Sequence, residues 1–137
     1  MATTDAPVTR PDIDILDSLQ LWMTGYPPLV NDRNHIQVRV EAGVVILSGN
    51  IKTPITRNYL LSHIKQIAGV QGVDDSALYD DETIRLNVGQ VLTNGTIGQV
   101  EWGTVILAGK LPEGDVLDAL IERIGKIAGV KRVVIPV

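Results

Sequence analysis

The chain contains no cysteine and no phenylalanine, and aromatic residues make up only 4% of it. Without cysteine there is no disulfide, no thiolate metal site and no cysteine nucleophile. That usage fits a reducing compartment. With so few rings, a core has to be built from valine, isoleucine and leucine, and the 45% apolar content is enough for one. No apolar run approaches the roughly 18 residues of a membrane span. The opening MATTDAPVTRPDID lacks a basic segment followed by an apolar one, so no secretory signal is read from it. As written the chain is expected in the cytoplasm, or in the periplasm if a signal has been trimmed away. The net charge is −4 and neither half is polybasic. Nucleic-acid binding, which needs a concentrated positive face, is therefore not expected. Neither G-x-x-x-x-G-K-S/T nor G-x-G-x-x-G occurs, so no phosphate-cradling loop is supported.

What the chain does have is a repetition. VEAGVVILSG begins at Val40 and VEWGTVILAG at Val100, and residues 40–73 match 100–133 at 14 of 34 positions with a constant offset of 60. A shared period of that length means duplication of a supersecondary unit. Two copies do not make an open solenoid, so two small units packed on each other are expected. A lone unit of this size would bury only about 60% of its unfolded surface. The expected layout is a flexible 1–10, a first unit over 11–79 and a second over 80–137.

Each unit reads as helix, strand, strand, helix, strand. IQVRV alternates with period two, as a half-buried strand does. Gly43 supplies a tight turn at positive φ, and VVILSG returns as a second strand. Thr53 and Pro54 occupy the N-cap and first helical positions. Leu60, Leu61, Ile64, Ile67 and Ala68 recur at helical spacing, Gly69 stands as a left-handed C-cap, and Val70 and Val73 open a third strand. The second copy repeats the series: strands over 96–101 and 104–109, a helix from about Glu113 to Ala128, a cap at Gly129 and a last strand from Val130 to Val137. A helix precedes each hairpin. For the first, Thr9 and Asp12 suggest a capping box, with Ile15, Leu16, Leu19 and Trp22 inward; the second, over 81–92, carries Gly89 inside it. Right-handed crossovers place the helices on one face of each sheet. The fold class is α+β: two tandem αββαβ two-layer units, each a three-stranded mixed sheet covered by two helices.

The hairpin phrase with its Gly-Val helix exit resembles the BON (bacterial OsmY and nodulation) domain, here in tandem. The pattern of a valine-rich strand, Glu-x-Gly, V-x-L-x-G, a helix and x-G-V-x-x-V falls on Val40–Gly49 with Ala68–Val73, and again on Val100–Gly109 with Ala128–Val133. The resemblance implies a non-catalytic binding module, associated in that family with phospholipid membranes, osmotic stress and envelope integrity. BON domains are also appended to secretins and channels. Some cytoplasmic members carry a LysM domain and sense potassium; no LysM unit is present here.

The partner- or lipid-binding candidates are Trp102, Arg123, Lys126, Lys131, Arg132, Trp22 and Tyr26. The four cations follow Glu122 with no side-chain acid after it. They either complement a helix C-terminus or form a patch for anionic phospholipid or an acidic partner. Trp22, Met23 and Tyr26 close the first helix, as core under a long loop or as an exposed aromatic edge. Trp102 stands at a hairpin tip where the first copy has Ala42; it either lies over the other unit or anchors a partner. The repeated Gly43, Gly103, Gly69 and Gly129 are read as turn and cap residues. His35 and His63 lack ligand spacing. The acids Asp74, Asp75, Asp80, Asp81 and Glu82 read as a solvated linker, with a cation site as the alternative. No metal and no cofactor is expected, although backbone carbonyls could hold potassium without a side-chain signature. The functional expectation is a module docking on a membrane or a protein assembly, with a potassium or small-ligand sensor and a self-associating homo-oligomeric subunit as alternatives. Pro136 would blunt an exposed last strand.

Overall fold

In the computed structural model, which describes residues 9–136, the first unit comprises α1 (Asp12–Gly25), two short 3-10 turns, β1 (Ile36–Glu41), β2 (Val44–Ile51), α2 (Pro54–Gln66) and β3 (Gly72–Asp80). The second comprises α3 (Asp81–Gly89), β4 (Thr96–Glu101), β5 (Thr104–Gly109), α4 (Gly114–Gly125) and β6 (Arg132–Val134). Each has a three-stranded sheet, β1-β2-β3 or β4-β5-β6. In each the hairpin is antiparallel and the crossover strand parallel. This is the α+β class that the repeat predicts.

Alternation decides which residues face the helices. Val45 and Leu47 of β2 meet Ile15 and Leu19 of α1 and Leu60 and Ile64 of α2 in one buried cluster. Their counterparts Val105 and Leu107 meet Ile84, Val88, Leu120 and Ile124 in a second. Burying each such side chain contributes about 1.5–3 kcal/mol.

The hairpin tips are two-residue turns in which both residues have positive φ: Ala42 (50°) with Gly43 (80°), and Trp102 (45°) with Gly103 (83°). That suits the twist of the flanking strands. A side chain there costs about 1–2 kcal/mol, and a carboxylate from the preceding helix offsets it. The expected Thr9–Asp12 capping box does not form, because Pro11 is the N-cap and no side chain caps it. Asp12 reaches across the unit instead, accepting from the amides of Ala42 (3.0 Å) and Gly43 (2.9 Å). Asp81 accepts from Trp102 (2.7 Å) and Gly103 (3.0 Å) in the same way.

Gly69 and Gly129 do adopt positive φ, 91° in both. Their role differs from the expected cap. The helices end earlier, at Gln66 and Gly125. Each glycine is the third residue of a following turn, closed by Val70 on Ile67 and by Val130 on Ile127, where positive φ belongs to the type II geometry. From there the Gln71 and Lys131 amides donate to the Gly43 and Gly103 carbonyls, at 2.8 Å each. Helix start, hairpin tip and helix exit thus form one knot, built twice.

Further differences from the sequence reading are local. The acidic stretch is no linker, because β3 runs straight into α3. α3 stops at Gly89, and β6 is confined to Arg132–Val134. Val137 and residues 1–8 of the expected flexible segment lie outside the described residues. Arg10 is anchored, its guanidinium donating to the Ala68 and Asp14 carbonyls and to Ser18 Oγ.

Candidate functional site

Trp102 belongs to the seam between the units. Its ring stacks on His35 at 4.1 Å and 8°, its Nε1 donates to Asp32 Oδ1 at 2.7 Å, and Lys52 Nζ lies 4.7 Å from the ring centre. Asp32, His35 and Lys52 all belong to the first unit, so the tip of the second hairpin is clasped by the far end of the first sheet. Beside it, buried Asn50 donates to the Gly129 carbonyl at 3.1 Å. A Cβ on Gly129 would come within 2.7 Å of Tyr79. None of these partners recurs at the offset of 60: Asn50 becomes Lys110, His35 becomes Gly95 and Asp32 becomes Leu92. The seam is therefore made once. Burial, joined by the charges of Asp32 and Asp80, holds the Asp81 carboxyl above its ordinary value, while the Trp102 and Gly103 amides pull the other way.

The helices cover one face of each sheet, and the other faces differ. On the first, the outward residues include Gln37, Arg39, Glu41, Ser48 and Asp74, with Arg39 and Glu41 paired at 3.6 Å. At the same positions the second sheet carries Ile97, Gln99, Glu101, Ala108 and Val134, around Ile106 shared with Ile46. Ile97 is 56% exposed and Val134 37%. Three polar positions have become apolar, and Glu101 has lost the cation on its strand. Arg132, where the first copy has Gly72, stands on the opposite edge strand and donates to Thr104 Oγ1 at 3.1 Å. Where this face meets the His35–Trp102 stack it forms a groove of about 540 Å³, lined by Glu101, Thr104, Ile106, Lys131, Arg132 and Val134.

The structure brings Trp102, Lys131 and Arg132 together at this groove and separates the other candidates from it. Arg123 and Lys126 are on and just beyond α4, where Lys126 pairs with Glu122 at 3.3 Å. Trp22 and Tyr26 are in the first unit, stacked at 4.8 Å, with Trp22 also stacked on His63 at 3.9 Å. Burial lowers the His63 pKa. The acids are engaged structurally. Asp74 accepts from the Ser76 hydroxyl and amide, which lower its pKa. Asp75 pairs with Arg57 at 2.6 Å, and Asp80 caps α3 through Thr83. Among the described residues no group of three acids or histidines is placed to hold a metal ion, and no helix is long and apolar enough to cross a membrane. The sequence reading missed Ile97, Ile106, Ala108 and Val134, although subtracting one copy from the other would have shown three of them.

The first unit, hairpin and crossover together, carries the family signal. Residues 28–79 match the BON domain model. The BON match covers the first sheet and α2 and leaves the second unit outside. No curated protein matches the chain. Among solved structures it is similar to CdsD, a structural protein of the type III secretion system of Chlamydia trachomatis, at 15% identity and a TM-score of 0.73, covering 92% of this chain and 62% of that one. It is also similar to the CdsD C-terminal domain, at 14% identity and a TM-score of 0.75, covering 93% of this chain and 68% of that one. At such identities the likeness is one of fold, and it extends over both units. The chain spans less than two thirds of the first CdsD structure's length.

Proposed function

We propose that this chain is a non-catalytic docking module made of two BON-type units, in which the first is scaffold and the open face of the second sheet binds protein. One observation carries the reading: the two copies keep the same core, turns and knots, while Gln37, Ser48 and Asp74 on the first open face become Ile97, Ala108 and Val134 on the second. Contiguous exposed apolar surface rimmed by charge marks an interaction site. The fold likeness to a secretion-system structural protein supports an assembly role. The test restores the first copy's residue types with Ile97→Gln, Ala108→Ser and Val134→Asp. Size-exclusion of a host extract should show the wild-type chain in a particle larger than a monomer and the triple variant, folded by circular dichroism, as a monomer. If the variant elutes with the wild type, the face is not the docking surface.

A second reading, docking on anionic phospholipid, rests on Lys131 and Arg132 at the groove. Flotation with anionic vesicles at low salt should then carry the wild type up and leave a Lys131→Glu, Arg132→Glu variant behind. Equal behaviour of the two removes this reading.

A further inference from the structure

We infer that the occupant of the open second sheet is a second copy of this chain, packed face to face about a two-fold axis along the strands; this rests on the docking reading above. The charges argue for it. Glu101 is on edge strand β4 and Arg132 on edge strand β6, level with each other through Thr104, the residue each pairs with on β5. They stand two strand spacings apart, about 10 Å between backbones, yet among the described residues they are not paired with each other: Arg132 turns to Thr104 instead. Among the described residues Glu101 makes no side-chain hydrogen bond or ion pair. In the first copy the same glutamate, Glu41, is neutralised on its own strand by Arg39; in the second that arginine is Gln99.

A two-fold axis along the strands lays β4 of one copy over β6 of the other. Each Glu101 then faces the other copy's Arg132, Val134 lies over Gln99 with Ile97 one step further along the strand, and the two Ile106 side chains meet across the middle. The groove lined by Lys131, Arg132 and His35 admits the β4 edge of the second copy. An isologous contact uses the same patch on both subunits and closes at two. Sheets packed this way bury alternate side chains in a layer about 10 Å thick. The first unit cannot make the same contact, since its open face carries the paired Arg39 and Glu41 with Asp74, and has glycine at the position of Arg132.

The test is charge exchange with purified full-length protein. Light scattering should find wild type as a dimer, and Glu101→Arg and Arg132→Glu each as monomers by like-charge repulsion. An equimolar mixture of the two variants should form a heterodimer, because one is now all positive at the contact and the other all negative. The doubly exchanged chain should dimerise again. Since Arg132→Glu also removes the bond to Thr104, circular dichroism must show both variants folded; Glu101→Arg disturbs no bond and stands alone if the other fails. A monomeric wild type at the highest soluble concentration overturns the inference. If the host-extract particle then persists and still depends on Ile97, Ala108 and Val134, the docking reading survives with a different protein as occupant. A wild-type dimer that ignores both the charge exchange and the triple reversion overturns both.

Discussion

Replacing Trp102 with alanine removes three contacts at the seam. The stack on His35 is worth about 0.5–1.5 kcal/mol. The Nε1 bond to Asp32 is a bond to a charged group, worth about 1.5–3 kcal/mol, and its loss leaves a carboxylate that is only 2% exposed short of a donor. Lys52 over the ring adds about 0.5 kcal/mol at a partly exposed site. Alanine inherits the positive φ, so no backbone strain is relieved. The expected loss is about 3 kcal/mol, which for a chain of this length lowers the melting temperature by about 10 °C. Urea denaturation measures it. Trp102→Phe keeps the stack, drops the hydrogen bond and should cost about 1–3 kcal/mol. The mirror substitution, Ala42→Trp, places a ring where no His35 or Asp32 waits and should stay within about 0.5 kcal/mol. If Trp102→Ala also stays within that range, the seam contributes nothing and the reasoning is refuted.

Asn50→Ala, which strands the Gly129 carbonyl at the seam, should cost about 1–2 kcal/mol in the same denaturation experiment. Gly103→Ala brings a Cβ to 2.8 Å from the Gly129 carbonyl at φ +83° and should cost well over 1 kcal/mol. Gly114→Ala, with positive φ but nothing within 4 Å, should cost about 1 kcal/mol; equal losses at the two glycines would contradict the crowding. The raised pKa of Asp81 means that the folded state binds its proton more tightly than the unfolded state does. Its contribution to stability therefore falls as pH rises from the ordinary carboxylate value through the raised one. Thermal melts from pH 4 to 7 should show wild type gaining on Asp81→Asn as pH drops; a constant gap would show that Asp81 is not shifted.

Much of the fold is legible because each unit states it independently. Two copies of strand, glycine turn, strand and helix leave little freedom in topology. Gly43 and Gly103 announce positive φ because few other residues tolerate it. The knots were not legible. Asp12 and Asp81 stand 30 and 21 residues before the tips they hold, because α1 is five residues longer than α3 and the connection after it four residues longer, so an offset of 60 never aligns them. A carboxylate at a helix start also looks like a local cap, and only three dimensions show it bonded to a distant turn. Trp102 was visible as the sharpest difference between the copies, but its partners Asp32, His35 and Lys52 sit in a connection and at strand ends, where the second copy has Leu92, Gly95 and Pro112 and nothing in the chain order marks them as neighbours of the second tip. The open face was legible in principle. Ile97, Ala108 and Val134 are ordinary strand residues, and they become informative only when each is set beside Gln37, Ser48 and Asp74.

The absence of cysteine allows a clean footprint of that face. Single cysteines at Ala108 and at its first-copy counterpart Ser48 report matched positions on the two open faces, and their maleimide labelling can be compared between dilute purified protein and the chain in its host. A docking surface confined to the second sheet predicts that the cysteine at 108 is protected in the host and reactive in dilute solution, while the one at 48 labels equally in both. Equal labelling of position 108 in both settings would contradict it.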